Sequence, residues 1–223
     1  MAGETDTPAD ISTLLPRKKP SQGRSRQTVT KVLDATRDIL QTEGHRALTT
    51  ILVAERSGVT VGSIYQYFPS KHAIIYELYT AWLNDVVAQL DAILENRSDD
   101  DSAEDVLKKI FLELLGEDIT DNLTRELTQA MQAHPELQTV EADHQTRIAT
   151  RIGSLLGEMS GTVEDPAIFD FAVAIYRLSV SLMDTVQDTG PQSKAILATW
   201  AEMTAESAVR NFSKIVNAKA GSS

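Results

Sequence analysis

The chain of 223 residues contains no cysteine. That excludes a disulfide framework and a thiolate metal site, and it suits a reducing cytoplasm. The start, MAGETDTPADISTLLP, is polar and acidic and lacks the apolar core of a secretory signal. An unbroken apolar run is missing too: the most apolar stretch, AIFDFAVAIYRLSVSLMDTV from Ala167, is interrupted by Asp170, Arg177 and Asp184. These three recur every seven residues and share one stripe of a helix. The segment therefore reads as a helix buried on most of its circumference, not as a membrane span. The four histidines (His45, His72, His134, His144) form no H-E-x-x-H, and no nucleophile elbow, phosphate loop or G-x-G-x-x-G occurs. His144 with Glu141 is a single i, i+3 pair. No catalytic residue, resident metal or cofactor is expected.

What is present is an uneven distribution of charge. The net charge of -11 would argue against a nucleic-acid partner if it were evenly spread. Residues 1–80, however, hold ten Lys/Arg against eight Asp/Glu, whereas residues 81–223 hold eleven against twenty-four. From Arg17 to Lys31 there are six basic residues and no acidic one, a local electrostatic footprint for a polyanion.

Residues 1 to about 25 mix Pro, Gly, Ser, Thr and charge without period, and read as a disordered, basic-ended tail. From Thr28 the apolar positions follow helical spacing as far as Gly44, which sits where a C-terminal cap belongs. Thr49 is placed to cap a short second helix, ILVAERS, which Gly58 ends. Pro69 and Ser70 open a long helix to about Arg97, and Ser102 with Asp105 three residues on has the form of a capping box. The same SDDDSAED run lacks the glycine and terminal glutamate of a calcium loop. Further helices are predicted at about 103–115, 119–132, 136–158, 166–188 and 192–217, with Pro135, Pro166 and Gly190-Pro191 between them.

One stretch conflicts with this pattern. In SGVTVGSIYQYFPSK, residues 57–71, the valines, Ile64, Tyr65, Tyr67 and Phe68 have strand propensity, and a β-hairpin is the first thing propensity suggests. An isolated hairpin in an otherwise helical chain would be marginal, which favours a helix. A helix-turn-helix also needs a small residue at the helix contact, a glycine in the turn and apolar anchors on the second helix. Ala54, Gly58, and Val53, Val59, Ile64 and Tyr67 fall at those offsets.

With A-x-x-S-G-V-T-x-G-S-I-Y-x-Y-F-P-S-K ending at Lys71, the segment from about 28 to 75 resembles the DNA-binding domain of the tetracycline-repressor (TetR) family, YF-PSK being its most distinctive part. The resemblance implies a homodimeric, ligand-responsive transcriptional regulator, a repressor at a palindromic operator. An all-helical enzyme or small-molecule-binding bundle with a vestigial head is the alternative. The expected architecture is all-α: a tail (1–25), a three-helix DNA-binding domain (26–72), and a ligand-binding and dimerisation domain (73–223) that begins with the long helix, about nine helices in all. The partners implied are double-stranded DNA, an unidentified small-molecule effector and a second copy of the chain, with no membrane.

Within that frame each residue type has a physical role. Thr60 is placed to cap the recognition helix, Gly62 permits close approach to a groove, and Ser63 can reach a base edge or phosphate. Tyr65 presents its ring outward while Ile64 and Phe68 point to the core. Gln66 can bond backbone or adenine, Tyr67 is core with its hydroxyl at the DNA, and Lys71 is a phosphate contact. Thr49 and Thr50 can touch phosphate, and Arg24 and Arg26, just ahead of the first helix, reach phosphate or a minor groove. Val61 stands where many relatives carry lysine, and suits the C5-methyl of thymine or packing on the first helix. For the effector, Trp82, Phe111, Met131, Phe169, Tyr176 and Met183 are the candidate pocket, with core packing as the alternative for each. Dimerisation is expected through the last two helices, where Ala195, Ala198, Ala201, Ala205 and Ala208 allow close approach.

Overall fold

The computed structural model describes residues 15, 17, 23–98, 100–102, 105–110, 122–132, 138–160 and 166–187, together with positions 196, 199, 200, 203, 207, 210 and 211. The helices are α1 (Gly23–Glu43), α2 (Thr50–Ser57), α3 (Val61–Tyr67), α4 (Lys71–Glu95), α5 (105–110), α6 (Asn122–Gln132), α7 (Gln138–Ser160) and α8 (Pro166–Gln187). No strand occurs among the described residues, so SGVTVGSIYQYFPSK is turn, helix and exit turn, and the fold is all-α. Of the predicted helix 192–217, the described positions, from Ile196 to Asn211, are helical, and the five alanines lie outside the described residues.

Local chemistry accounts for the boundaries. Thr49 has extended backbone and its hydroxyl accepts from Leu52 N at 3.1 Å; Thr60 does the same for Ser63 N at 3.2 Å. Gly44 (φ 81°) and Gly58 (φ 65°) stop α1 and α2 in left-handed conformations that a side chain would strain. The Gly44 N–H closes the end of α1 on Ile39 O at 3.1 Å. The capping box is formed: Asp105 N donates to Ser102 Oγ at 3.1 Å, and Ser102 N to Asp105 Oδ2 at 3.3 Å. One boundary corrects the expectation. α1 begins at Gly23, so Arg24 and Arg26 lie within its first turns and not ahead of it. Arg and Gln propagate helix well, and Thr28 Oγ1 bonds back to Arg24 O at 3.1 Å instead of breaking the turn.

The chain forms two compact units, Met1–Leu83 with Asn122–Glu141, and Asn84–Asp121 with Ala142–Ser223. In the first, α1 packs on α2, α3 and α6, around Val32, Ile39, Leu40, Leu48, Val53, Ile64, Phe68 and Ile74, all at most 1% exposed. Leu127, Ala130 and Met131 of α6 belong to this core, so the three-helix head is completed by a segment some fifty residues downstream of it. In the second unit Val87, Leu90 and Ile93 of α4 pack with Ile148, Ile152 and Leu155 of α7 and Ile168 and Ala172 of α8. Asn84 with Arg147, Asp91 with Arg151, and Arg97 with Glu158 ascend together, so these parts of α4 and α7 run parallel. The Arg151 bonds hold the Asp91 carboxyl below its ordinary pKa against the opposing effect of burial. No helix among the described residues is long and apolar enough to cross a membrane.

Burial on α3 gives a direct test. Ile64 is fully buried and its neighbour Tyr65 is 42% exposed. Ile64→Ala should cost about 2–5 kcal/mol of stability, whereas Tyr65→Ala should stay within about 0.5 kcal/mol. Denaturant midpoints of the two variants, at equal m-value, measure the difference.

Candidate nucleic-acid interface

A seven-residue helix such as α3 has no independent stability, and its orientation comes from what it buries. Ile64 lies on the core face and Phe68, its C-cap, comes one turn later at 1% exposure. Ala54, Val59 and Tyr67 are partly buried and pack on the same core. All six residues assigned to the contact, turn and anchor positions therefore occupy them: Val53 and Ile64 buried, Ala54, Val59 and Tyr67 at the edge of the core, and Gly58 in the left-handed turn.

The opposite face of α3 is open. Gly62, Tyr65 and Gln66 are exposed, and a Cβ added at Gly62 would meet nothing within 4 Å. Val61 is partly exposed and is not among the side chains packed on the core. Ser63 Oγ lies 2.9 Å from Thr60 Oγ1, so the two hydroxyls form a small polar edge beside Val61. At the start of α2, Thr49 is exposed and Thr50 partly so, while Arg24 and Arg26 are exposed on α1. Lys71 has a second engagement that spacing does not reveal: its Nζ donates to Leu48 O at 3.0 Å, tying α4 to the turn before α2. An ammonium has three donors, so this bond leaves capacity for a phosphate.

Two contributors are invisible to spacing and composition. Arg17, ahead of α1, donates its backbone N–H to Tyr67 O at 2.8 Å and its guanidinium to Tyr65 O at 3.3 Å. It thus places a positive charge at the carbonyl end of α3, where a helix favours one. Its basic neighbourhood is visible in the sequence, but its register against α3 is not. The other is Glu126 on α6, which is 8% exposed and accepts from His45 N at 2.8 Å, with His45 Nδ1 2.7 Å away. Burial pushes this carboxyl up, but the His45 amide and ring bonds, with the His45 and Arg125 charges, outweigh it and leave its pKa below the ordinary value.

Of the six effector candidates the side chains of four are described, two in each unit. Trp82 and Met131 belong to the core of the first unit, and the Trp82 ring lies 5.5 Å from that of Tyr79. Tyr176 packs on the core of the second unit, edge-on to His144 at 5.8 Å, and Phe169 is 40% exposed. Phe111 and the side chain of Met183 lie outside the described residues. Among the described residues no three His, Asp or Glu side chains cluster as metal ligands.

A short capped helix with a buried apolar face and an open polar face, held across a glycine turn from a second short helix, defines a helix-turn-helix DNA-binding fold of the kind transcription regulators use. Residues 32–78 match the family model of the bacterial regulatory proteins, tetR family, and the head of this chain is a TetR-family domain. Solved structures agree on the fold. A TetR-family transcriptional regulator from Mesorhizobium loti superposes with a TM-score of 0.69 at 16% identity, covering 85% of this chain and 98% of the other. A bacterial regulatory protein in the TetR family from Rhodococcus RHA1 gives 0.59 at 18% identity over 82% and 95%. RolR, solved in complex with resorcinol, gives 0.56 at 18% over 83% and 94%. A comparison with curated proteins finds no match.

The Arg17 cap carries its own prediction. A charge at a helix C-terminus is worth about 0.3–1 kcal/mol, so Arg17→Ala should speed amide exchange at residues 64–68 about two- to fivefold and leave α1 unchanged. Hydrogen-exchange mass spectrometry of the free protein reads both segments.

Proposed function

We propose that the protein is a cytoplasmic, dimeric repressor that binds a palindromic operator through α3 and releases it when a small apolar effector binds. The observation that carries this reading is the division of α3 into a fully buried anchor face, Ile64 and Phe68, and an open face of Gly62, Tyr65 and Gln66. Residues 26–72 form the DNA-binding domain and residues 73–223 the ligand-binding and dimerisation domain. On the DNA, Thr60 and Ser63 meet phosphate or a base edge, Val61 a thymine methyl, and Tyr65 and Gln66 the groove, with the Tyr67 hydroxyl at its edge. Thr49, Thr50 and Lys71 meet the phosphate backbone, and Arg24 and Arg26 add sequence-independent affinity.

Dimerisation is supported by an exposed apolar stripe. Ile196, Trp200 and Met203 recur at i, i+4, i+7 and are 71%, 51% and 62% exposed in the single chain. Leu178 and Phe169 of α8 are also exposed, at 39% and 40%. A second copy covering such surface is the ordinary solution. The effector reading draws on RolR, a relative in fold that binds resorcinol, and on Trp82, whose buried indole N–H has no hydrogen-bond partner among the described residues and is a donor suited to an effector oxygen. Met131, in the core on which Trp82 packs, is the second effector candidate of that unit, and Phe111, Phe169, Tyr176 and Met183 are separate candidates.

The first experiment is a footprint on the DNA upstream of the protein's own gene. A protected palindrome whose occupancy falls steeply with salt is expected; no protection at low salt contradicts the reading. Within that site, Val61→Ala should cost on the order of 1 kcal/mol at one symmetric pair of positions. Replacing thymine by uracil there should weaken the wild type and leave the variant unchanged. The interface is tested by Trp200→Glu, for which light scattering at micromolar concentration should show a monomer where the wild type is a dimer.

A further inference from the structure

We propose that Glu126, far outside the matched DNA-binding segment, is a positioning residue for operator binding, acting through the α1–α2 turn that its carboxylate holds. This rests on the DNA-binding reading of the head.

The geometry concentrates on residues 41–49. Glu126 Oε2 accepts from the His45 backbone N–H at 2.8 Å and lies 2.7 Å from His45 Nδ1, while Oε1 takes an N–H of Arg125 at 3.2 Å. One turn earlier on α6, Asn122 Nδ2 donates to Gln41 O at 2.6 Å, in the last turn of α1. Gly44 is fitted to this contact twice over. Its φ of 81° is left-handed, and a Cβ there would come within 3.0 Å of Glu126 Oε2. From the other side, Lys71 Nζ holds Leu48 O at 3.0 Å, and Thr49 then caps α2. The turn that sets the start of α2, with Thr49 and Thr50, is thus fixed from α6 and α4 at once.

Attachment of α6 does not require the carboxylate. Leu127, Ala130 and Met131 already anchor it in the shared core. Burying a carboxylate is costly unless it is paired and hydrogen-bonded, and here Oε2 is committed to the turn that positions two of the proposed phosphate contacts, Thr49 and Thr50. Its charge also makes the role separable from simple electrostatics. Removing an anion from a DNA-binding head raises affinity for DNA if charge alone matters. Loss of positioning lowers it.

The test uses the full-length protein and a duplex selected by it from a random pool, with binding read by fluorescence anisotropy across a salt series. Glu126→Ala should weaken binding about tenfold or more with an unchanged salt slope, because the contacts its turn positions, Thr49 and Thr50, are uncharged and release no counterion. Glu126→Gln, whose amide oxygen still accepts from His45 N, should lose less. His45→Ala combined with Glu126→Ala should cost less than the sum of the two singly, marking a shared interaction. Circular dichroism and melting establish that each variant is folded. If Glu126→Ala does not fold, Glu126→Gln and Asn122→Ala carry the test, and wild-type affinity in both overturns the inference. Unchanged or tighter binding by folded Glu126→Ala overturns it as well. If the wild type selects no duplex at all, the DNA-binding reading fails and the inference with it; selection combined with indifference to Glu126 removes only the inference.

Discussion

A helix of seven residues is too short to persist in water, and α3 exists because Ile64 and Phe68 are removed from solvent against Val32, Ile39 and Leu40 of α1 and their neighbours. That one anchorage fixes the rotation of α3, and therefore which residues face outward. It also explains why propensity misleads at this point: Val59, Val61, Ile64 and Tyr65 favour strands in isolation, but no second strand is present among the described residues, and a cap at Thr60, a glycine turn at Gly58 and a ready apolar wall all favour the helix. Burial of each of these two apolar anchors contributes about 1.5–3 kcal/mol, more than the spread of strand preferences, which is about 1 kcal/mol.

Around that anchorage the head is tightened by polar contacts that are individually modest. Thr49 and Thr60 cap their helices, Lys71 spans to Leu48, Arg17 caps the far end of α3, and Arg56 bridges Asp38 and Glu43 between α2 and α1. Exposed ion pairs such as the last contribute little to stability. Their effect is on orientation: each removes a degree of freedom from a helix whose outward face carries the proposed contacts.

How much of this is legible in the sequence depends on the range of the interactions. Caps and turns act over a few residues, and Thr49, Thr60, Gly44, Gly58 and the Ser102–Asp105 box all stand where spacing puts them. Helical periodicity places α2, α4, α7 and α8 to within about two residues, the usual uncertainty at helix ends. The apolar period of α1 starts at Thr28, some five residues inside the helix, because Arg24, Arg26 and Gln27 propagate helix without carrying an apolar face. Contacts across sequence leave no such trace. Glu126 meets His45 over 81 residues and Arg17 meets Tyr65 over 48, and nothing in composition or period pairs them. The effector candidates are apolar residues on helices, a property that core side chains share, and Met131 at 7% exposure illustrates the ambiguity.

The central claim is that the open face of α3 lies against DNA. The most direct measurement replaces Tyr65, and separately the exposed Phe169 of α8, with a photoreactive phenylalanine analogue and irradiates each protein on a duplex it has selected. Efficient cross-linking is predicted from position 65 to bases at two symmetry-related places, and none from position 169. Cross-linking from position 169 with none from position 65 would contradict the claim.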